Sequence, residues 1–448
     1  MLQPSTIVVK RPGTADRAVS SDGGVLAALA LEAFGRCDEV ATFSEEAGKI
    51  TRTFLSEPMR RLHGLVAGWM EAAGMCVRVD AAGNLIGRYA GVRPGLPVLA
   101  IGSHLDTVPN AGRYDGVLGV LLGIAAVQAL DGRRLPFGID VIAFSDEEGV
   151  RYGVPYLGSL AVRGRFDRNL LDRTDARGMT MAEAFRTFGL DPCRLDEAAY
   201  PAGRLLGYLE AHIEQGPVLE ALGAPVGVVD AIAGQSRTWA ELRGRSGHAG
   251  TLPMEGRLDA LAAAAELVLE VERLGRSVPD LRATVGTIAV EPGAVNVVPG
   301  TARLSIDVRH ARDDVRMMAM AELRARAADL TARRGVEFRV AGEEHHMAVP
   351  ADPLLSGLLG EAVASAGYAP DRLTSGAGHD AAVMAAVTPM AMLFLRSPGG
   401  VSHHPDESVL PGDVVVALDV IVRYLHILAD RVESAGGSPF KPDPLGAV

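Results

Sequence analysis

Three things this 448-residue chain lacks narrow its possible roles: paired cysteines, a long apolar run and an excess of positive charge. Its cysteines are Cys37, Cys76 and Cys193, an odd number at unrelated spacings. That excludes a disulfide framework and a thiolate metal site, and it fits a reduced, cytoplasmic setting. No apolar run approaches the ~18 uninterrupted residues that a membrane-spanning helix needs. The first residues, MLQPSTIVVKRPGTADRAVSSDGG, have no apolar segment long enough for secretion and read as a flexible leader over 1–24. Lys and Arg number 44 against 55 Asp and Glu, a formal charge of −11, and no dense basic stripe overrides that balance. Nucleic acid and other polyanions are therefore poor partners. What the chain has in quantity is apolar sequence, 48% of it, over a length that exceeds one ordinary core, so two domains are expected.

Hydrophobic periodicity divides the chain. Ser56 can cap a helix running to Ala73, with Pro58 in its first turn, Gly74 after its end, and Leu62, Val66 and Met70 at helical spacing. VRVDAAGNLIGRYAG reads as a hairpin turning at Ala82-Gly83-Asn84. LPVLAIGSHLD and FGIDVIAFSDEEG are apolar runs that end abruptly in polar residues, as buried strands do. Between them VLGVLLGIAAVQAL is a helix apolar on nearly every side. In strand–helix–strand units chemistry collects at the carboxyl ends of the strands, and His104 and Glu147 lie just past those two ends. From about residue 231 a strand, a helix over 257–274, two strands, a helix over 313–334 and the strand VEFRVAG make a small α+β unit. A helix over 353–367, the strand AMLFLR and a long helix near 412–431 follow. The expected fold is thus α/β: a mixed sheet flanked by helices, built from 25–230 and 346–448, with an α+β domain inserted over 231–345.

Imidazole and carboxylate gather in five places: GSHLDTVPNAGRYDG, SDEEG, HIEQGP, SGAGHDA and GGVSHHPDE. Together these groups suit Zn, Mn or Co, and a carboxylate can bridge two such ions. His104 and Asp106 alternate by two, so on an extended segment they share a side, and Asp106 can hold the second ring nitrogen of a ligating His104. Asp115 precedes Gly116 at a helix start, where an ordinary capping aspartate is the plainer reading of the residue alone. Three adjacent acids, Asp146, Glu147 and Glu148, repel one another unless cations or dipoles are near. A glutamate beside a ligating glutamate is placed to take a proton from water. His212 and Glu214 also alternate, and His403 and His404 are adjacent, so one of that pair is expected as ligand and the other as neighbour.

These motifs make the resemblance specific. With GNLIGR, SHLDTV, YDGVLG, DEEG, HIEQGP, GHAGTLPM, NVVPG, DVR, SGAGHDA and GVSHHPDE, the chain resembles the amidase/hydantoinase/carbamoylase family of dinuclear metallohydrolases from about Ile50 to the last helix. That family is related to aminoacylases and carboxypeptidase G-like peptidases. The resemblance implies a metallopeptidase-like catalytic domain and an inserted dimerisation or lid domain. It makes Asp115 the carboxylate bridging two divalent ions (Mn, Zn or Co), with His104 and His212 on one and Glu148 and His403 on the other. His403 is preferred to His404 because the ligand directly follows the serine. Glu147 falls on the general base, with Asp106 beside it among the catalytic residues. Gln215, His248, Asn296 and Arg309 fall on positions that bind the substrate carboxylate and the reacting carbonyl, and Gly378 and His379 on the substrate side. The implied substrate is a small ureido carboxylate, and the implied assembly is a homodimer in which His248 reaches the partner's site. IAGQSRTWAELRGRSGHAGTLPM and SPGGVSHHPDESV look most like the allantoate branch. An N-carbamoyl-L-amino-acid hydrolase, a β-ureidopropionase, a dipeptidase or aminoacylase, and an inactive metal- or ureide-binding homologue are the rivals. An inactive homologue is expected to lose Glu147 or a ligand first, and all are present.

Overall fold

The helix over Val117–Ala129 has every residue of 117–127 buried, so it must be covered on both sides. The layering of the protein follows from how that is done. The computed structural model describes residues 21–436. Most of the expected leader, 1–20, lies outside the described residues, but residues 21–24 open helix α1 (Ser21–Ala41), which the sequence analysis does not predict. Ala30, Ala33, Cys37 and Val40 bury one stripe of it. Next come α2 (Glu57–Ala72) and the antiparallel pair β1 (Cys76–Val79) and β2 (Leu85–Tyr89). The Ser56 hydroxyl caps α2 as expected, accepting from the Met59 amide at 3.3 Å.

Strand β3 (Val98–His104), helix α3 (Val117–Ala129) and strand β4 (Gly138–Phe144) form the strand–helix–strand unit, with both strands buried throughout. Helix α3 packs on β3 and β4, and α1 lies against it. The segment that follows, with α4 (Leu157–Val162) and α5 (Met181–Phe188), has a small core of its own around Phe54, Tyr152, Leu157 and Phe185. Then come β5 (Leu205–Ile213), α6 (Val218–Leu222) and β6 (Val226–Ile232).

At Gly234 the chain leaves this sheet. Strand β7 (Gly234–Arg243), the short β8 (Gly247–His248), α7 (Ala260–Ser277), β9 (Arg282–Glu291), the short β10 (Val297–Val298), β11 (Thr301–His310), α8 (Asp313–Arg334) and β12 (Glu337–His346) form a second unit. Its sheet runs β12-β7-β11-β9, antiparallel throughout. Leu242, Leu267, Leu274, Leu304 and Leu323 belong to a separate core.

The chain returns through β13 (Val349–Pro350), α9 (Pro353–Ser365), β14 (Arg372–Ser375), α10 (Asp380–Met384), β15 (Met390–Leu395) and α11 (Pro411–Ser434). Helix α11 packs against α1, α3 and α9 and helps cover α3. The large sheet runs β1-β2-β4-β3-β5-β15-β6-β13, with β14 on β6. The four strands β4, β3, β5 and β15 are mutually parallel and point their carboxyl ends the same way. Strand β4 lies on one side of β3 and β5 on the other, so the connections diverge at the top of β3, where α/β sheets hold their ligands. Among the described residues no helix is long and apolar enough to cross a membrane.

Candidate metal centre and active-site cleft

Each of the four parallel strands delivers polar residues to one edge. His104 ends β3, Asp146–Glu148 follow β4, His212 is the penultimate residue of β5, and His403 lies on the loop after β15. Asp115 arrives from the loop before α3. It is not that helix's cap: Gly116 holds the cap position and makes no side-chain capping bond. The Asp115 carboxylate is instead the centre of the cluster. Its Oδ1 lies 3.6 Å from His104 Nε2 and 3.1 Å from His212 Nε2, and its Oδ2 lies 3.3 Å from His403 Nε2. The same His403 nitrogen is 3.5 Å from Glu148 Oε1. His404 points elsewhere, accepting from the Asp406 amide at 3.2 Å.

The ring orientations test whether these residues suit a cation. His104 Nδ1 is 2.9 Å from the backbone carbonyl of Asp106, and His212 Nδ1 is 2.9 Å from that of Ile213. A carbonyl only accepts, so each Nδ1 carries a proton, and each Nε2 faces the Asp115 oxygen either with a second proton or with a lone pair free for a cation. Lone pair facing carboxylate is repulsive unless positive charge lies between them. Burial opposes charging either ring, but Asp106 and Asp115 raise His104 and Asp115 raises His212 above the usual imidazole range. Burial also works against the Asp115 anion, yet the three imidazoles hold it well below the usual carboxylate range. Among the described residues, His104, Asp115 and His212 form one group of potential ligands and Asp115, Glu148 and His403 another. Mixed imidazole and carboxylate donors suit divalent Zn, Mn or Co. The donor set fits.

Around this centre the acids are crowded. Burial, then the neighbouring Glu148, Asp380 and Asp106, push Glu147 well above the usual range, with His104 pulling the other way. Burial raises Glu148 to about 7. Asp106 lies beneath both. Its carboxylate accepts from the Glu147 and Glu148 amides at 2.9 and 3.0 Å, fixing the turn that presents them. The expectation that this side chain holds the His104 ring is corrected: the carbonyl of Asp106 takes Nδ1 at 2.9 Å, and the carboxylate is at 3.6 Å.

A cleft of about 1150 Å³ opens over these groups, and Glu147, Gln215, Arg309 and Gly378 line it with the expected ligands. Gln215 donates to Asp115 Oδ2 at 3.0 Å. Arg309 places its Nε and Nη2 on Asp307 at 2.8 and 3.1 Å and its Nη1 on the Gly376 carbonyl at 2.7 Å, which aims the fork at the cleft wall. Gly378 lets the Tyr156 hydroxyl approach closely, since a Cβ there would sit 1.9 Å from it and the ring would have to move. Tyr156, Gln215 and His403, all lining the cleft, have φ of 67°, 58° and 55°, left-handed values that non-glycine residues hold only where the surroundings impose them.

Three predicted residues are elsewhere. His379 is 1% exposed and packs edge-on to the His212 ring at 4.5 Å, its Nε2 on the Ser375 hydroxyl, so it backs the ligand rather than lining the cleft. His248 and Asn296 are brought beside each other by the β8–β10 pairing, with the Asn296 carbonyl accepting from the Ala249 amide at 2.9 Å. Both are exposed, and neither lines this chain's cleft. Glu214 caps α6 through the Val218 and Leu219 amides and takes no part in the centre.

Several participants escaped the sequence analysis. Glu210, fully buried, accepts from Ser103, Tyr208 and the Ala381 amide behind the ligands. It alternates with His212 along β5, the same signal that singled out Asp106 beside His104. Ser402 bridges Asp115 Oδ2 at 3.1 Å and Gln215 at 2.9 Å, and its position directly before His403 was the available clue.

Grouped imidazoles and carboxylates at strand carboxyl ends, beside a buried glutamate whose burial raises it above the usual carboxylate range, suit a hydrolase site. The model of peptidase family M20/M25/M40 matches residues 100–427, and the chain belongs to that family. It is 39% identical to an allantoate deiminase of Arabidopsis thaliana over 433 residues, covering 89% of this chain and 82% of that protein. It is 38% identical to an N-carbamoyl-L-amino acid amidohydrolase of Geobacillus stearothermophilus over 387 residues, 86% of this chain and 95% of that one. The crystal structure of an amidase of the hydantoinase/carbamoylase family from Burkholderia multivorans superposes with a TM-score of 0.83 at 32% identity, covering 88% of this chain and 97% of that chain. The protein is a hydrolase acting on C–N bonds.

Proposed function

We propose that the protein hydrolyses the ureido C–N bond of a small carboxylate using two divalent ions, and that allantoate is its substrate. The observation that carries this reading is the position of Asp115, whose two oxygens face different ligand sets: His104 and His212 on one side, His403 with Glu148 on the other. Those five residues would hold the ions. A ureido carbon is a poor electrophile because both nitrogens donate into the carbonyl. Two ions held by these residues would supply Lewis acidity toward the carbonyl oxygen and lower the pKa of water. Glu147 takes a proton from the attacking water and passes it to the departing nitrogen, a transfer its burial favours. The products are the amine, carbon dioxide and ammonia, which balance one water consumed. Arg309 lines the cleft with its fork held by Asp307 and the Gly376 carbonyl, so to bind the substrate carboxylate it would exchange one of these partners for it. Gln215 steadies Asp115 and faces the same space.

The allantoate assignment leans on the likeness to an allantoate deiminase at 39% identity. The N-carbamoyl-L-amino acid amidohydrolase likeness, at 38%, supports the second reading, in which an amino-acid side chain replaces the second ureido group. Ammonia release by the metal-loaded protein from allantoate, ureidopropionate and a panel of N-carbamoyl amino acids decides between them. Allantoate is expected to give the highest kcat/KM. A preference for an N-carbamoyl amino acid would replace the substrate while leaving the reaction class, and no release from any of them would end the ureido reading.

We also propose that the second unit, which the structure bounds at 234–346 where 231–345 is expected, pairs two chains and that His248 and Asn296 serve the partner's cleft, since both are exposed and outside their own. There His248 would donate to the developing oxyanion. Glu147→Gln and His248→Ala homodimers should each be nearly inactive, yet complement when unfolded and refolded together. Half the random dimers are mixed and each mixed dimer has one intact site, so recovery approaches about a quarter of wild type by two-fold symmetry. Verified mixed dimers without activity would return His248 to its own subunit or remove it from catalysis.

A further inference from the structure

Glu407 lies in the same HHPDE motif as His403, does not line the cleft, and has no role in the chemistry above. Its carboxylate is nonetheless buried, with 4% of the residue exposed, and it reaches to the opposite half of the centre. Oε1 accepts from the backbone amides of Tyr114 and Asp115 at 2.8 and 3.1 Å, residues 293 and 292 positions earlier in the chain. Oε2 lies 3.4 Å from the Ser402 hydroxyl, which is itself 3.1 Å from Asp115 Oδ2. The fit is close: a Cβ on Gly112 would stand 2.3 Å from the Glu407 carboxylate carbon and Oε1.

The two segments this carboxylate joins are held in different ways. Asp115 leads directly into α3, which is buried over 117–127 and packed between the sheet and the helices α1 and α11. The loop after β15 that carries His403 has positive φ at Gly399, Gly400 and His403, and its ends are closed by the Arg396 fork on Asp413 at 2.7 Å. Such a loop has no strand ladder to set its position against α3. Ser402 ties the loop to the Asp115 side chain, and the pair of amides held by Glu407 ties it to the Asp115 backbone.

We infer that Glu407 is a positioning residue that clamps the His403 loop to the Asp115 backbone and so keeps the two ion positions in register. The inference rests on the two-ion reading above. It predicts that reach matters and charge does not. Glu407→Asp keeps the charge but withdraws the oxygen from both amides. Glu407→Gln keeps an acceptor oxygen at the same reach and loses the charge.

The test is competition of each purified variant against a chromophoric chelator for Mn²⁺ and for Zn²⁺, with thermal melts of the metal-free proteins alongside. Outer partners of ligands typically contribute about 10–100-fold in ion affinity, so E407D should lose about tenfold or more while E407Q stays within about threefold. In turnover E407D should lower kcat with little change in KM, since Arg309 and the cleft wall are untouched. Wild-type affinity in E407D, even with a lowered melting temperature, would make Glu407 merely structural and overturn the inference. A loss in E407Q as large as in E407D would show that charge is what counts, and would overturn it too. Should E407D not fold, E407A takes its place: a loss of about tenfold or more in E407A with E407Q within about threefold supports the clamp, and equal affinity in both rejects it. A wild-type chain that binds one ion overturns the two-ion reading and this inference together, whereas two tight ions in wild type and in E407D overturn this inference only.

Discussion

Glu147→Gln should abolish most turnover while leaving the ion content of the protein at its wild-type level. The side chain is 8% exposed, its backbone amide is held by Asp106 at 2.9 Å, and burial makes its carboxylate unusually basic. Glutamine preserves shape and packing but accepts no proton, and loss of a positioned base costs about a hundredfold to ten-thousandfold. The contrast with metal content matters because Glu147 also groups with His104 and Glu148 as a possible ligand. If Glu147 were a ligand, the variant would lose an ion along with its activity. Parallel measurement of kcat and metal content by emission spectroscopy separates the two roles.

Asp115→Ala should do the reverse at the level of binding: both ions go, and activity goes with them. Three imidazoles converge on this carboxylate, from 3.6, 3.1 and 3.3 Å. Replacing it leaves each proposed ion one ligand short and removes the anion that balances two dications. The loss should exceed the about 10–100-fold typical of an outer partner of a ligand. His403→Ala, which strips a ligand from one ion only, is the internal control and should leave the other bound. A D115A protein that retains one ion with wild-type affinity would show that Asp115 does not bridge.

How much of this was readable in the sequence varies with the physical signal each element carries. Strands β3 and β4 and helix α3 stood out because apolar runs ended sharply in polar residues, and those polar residues are the ones now found at the strand ends. Helix α8 falls on the expected residues, 313–334, with two aspartates in its first turn and Gly335 at its end. Helix α1 was missed for a different reason. Its buried stripe is made of small residues, Ala30, Ala33 and Cys37, and it becomes intelligible only once α3 is seen to need a second cover. The stretch holding α4 and α5 went unread because its helices are too short to show a period, and local caps such as Thr180 with Glu183 hold them. At the site, the resemblance put His379 on the substrate side, and only the fold shows that it stands behind the His212 ring. Glu407 was invisible for the plainest reason: what it holds lies 292 and 293 residues away.

The central claim is that two ions shared by Asp115 power ureido hydrolysis, and one titration tests it most directly. Chelator-stripped protein is supplied with Mn²⁺ in steps while ammonia release from allantoate and bound metal are followed together. The account predicts no release from the stripped protein and a rise that reaches its plateau only as the second ion per chain is bound. Full turnover in protein verified to be metal-free, or a plateau at a single ion per chain, would contradict it.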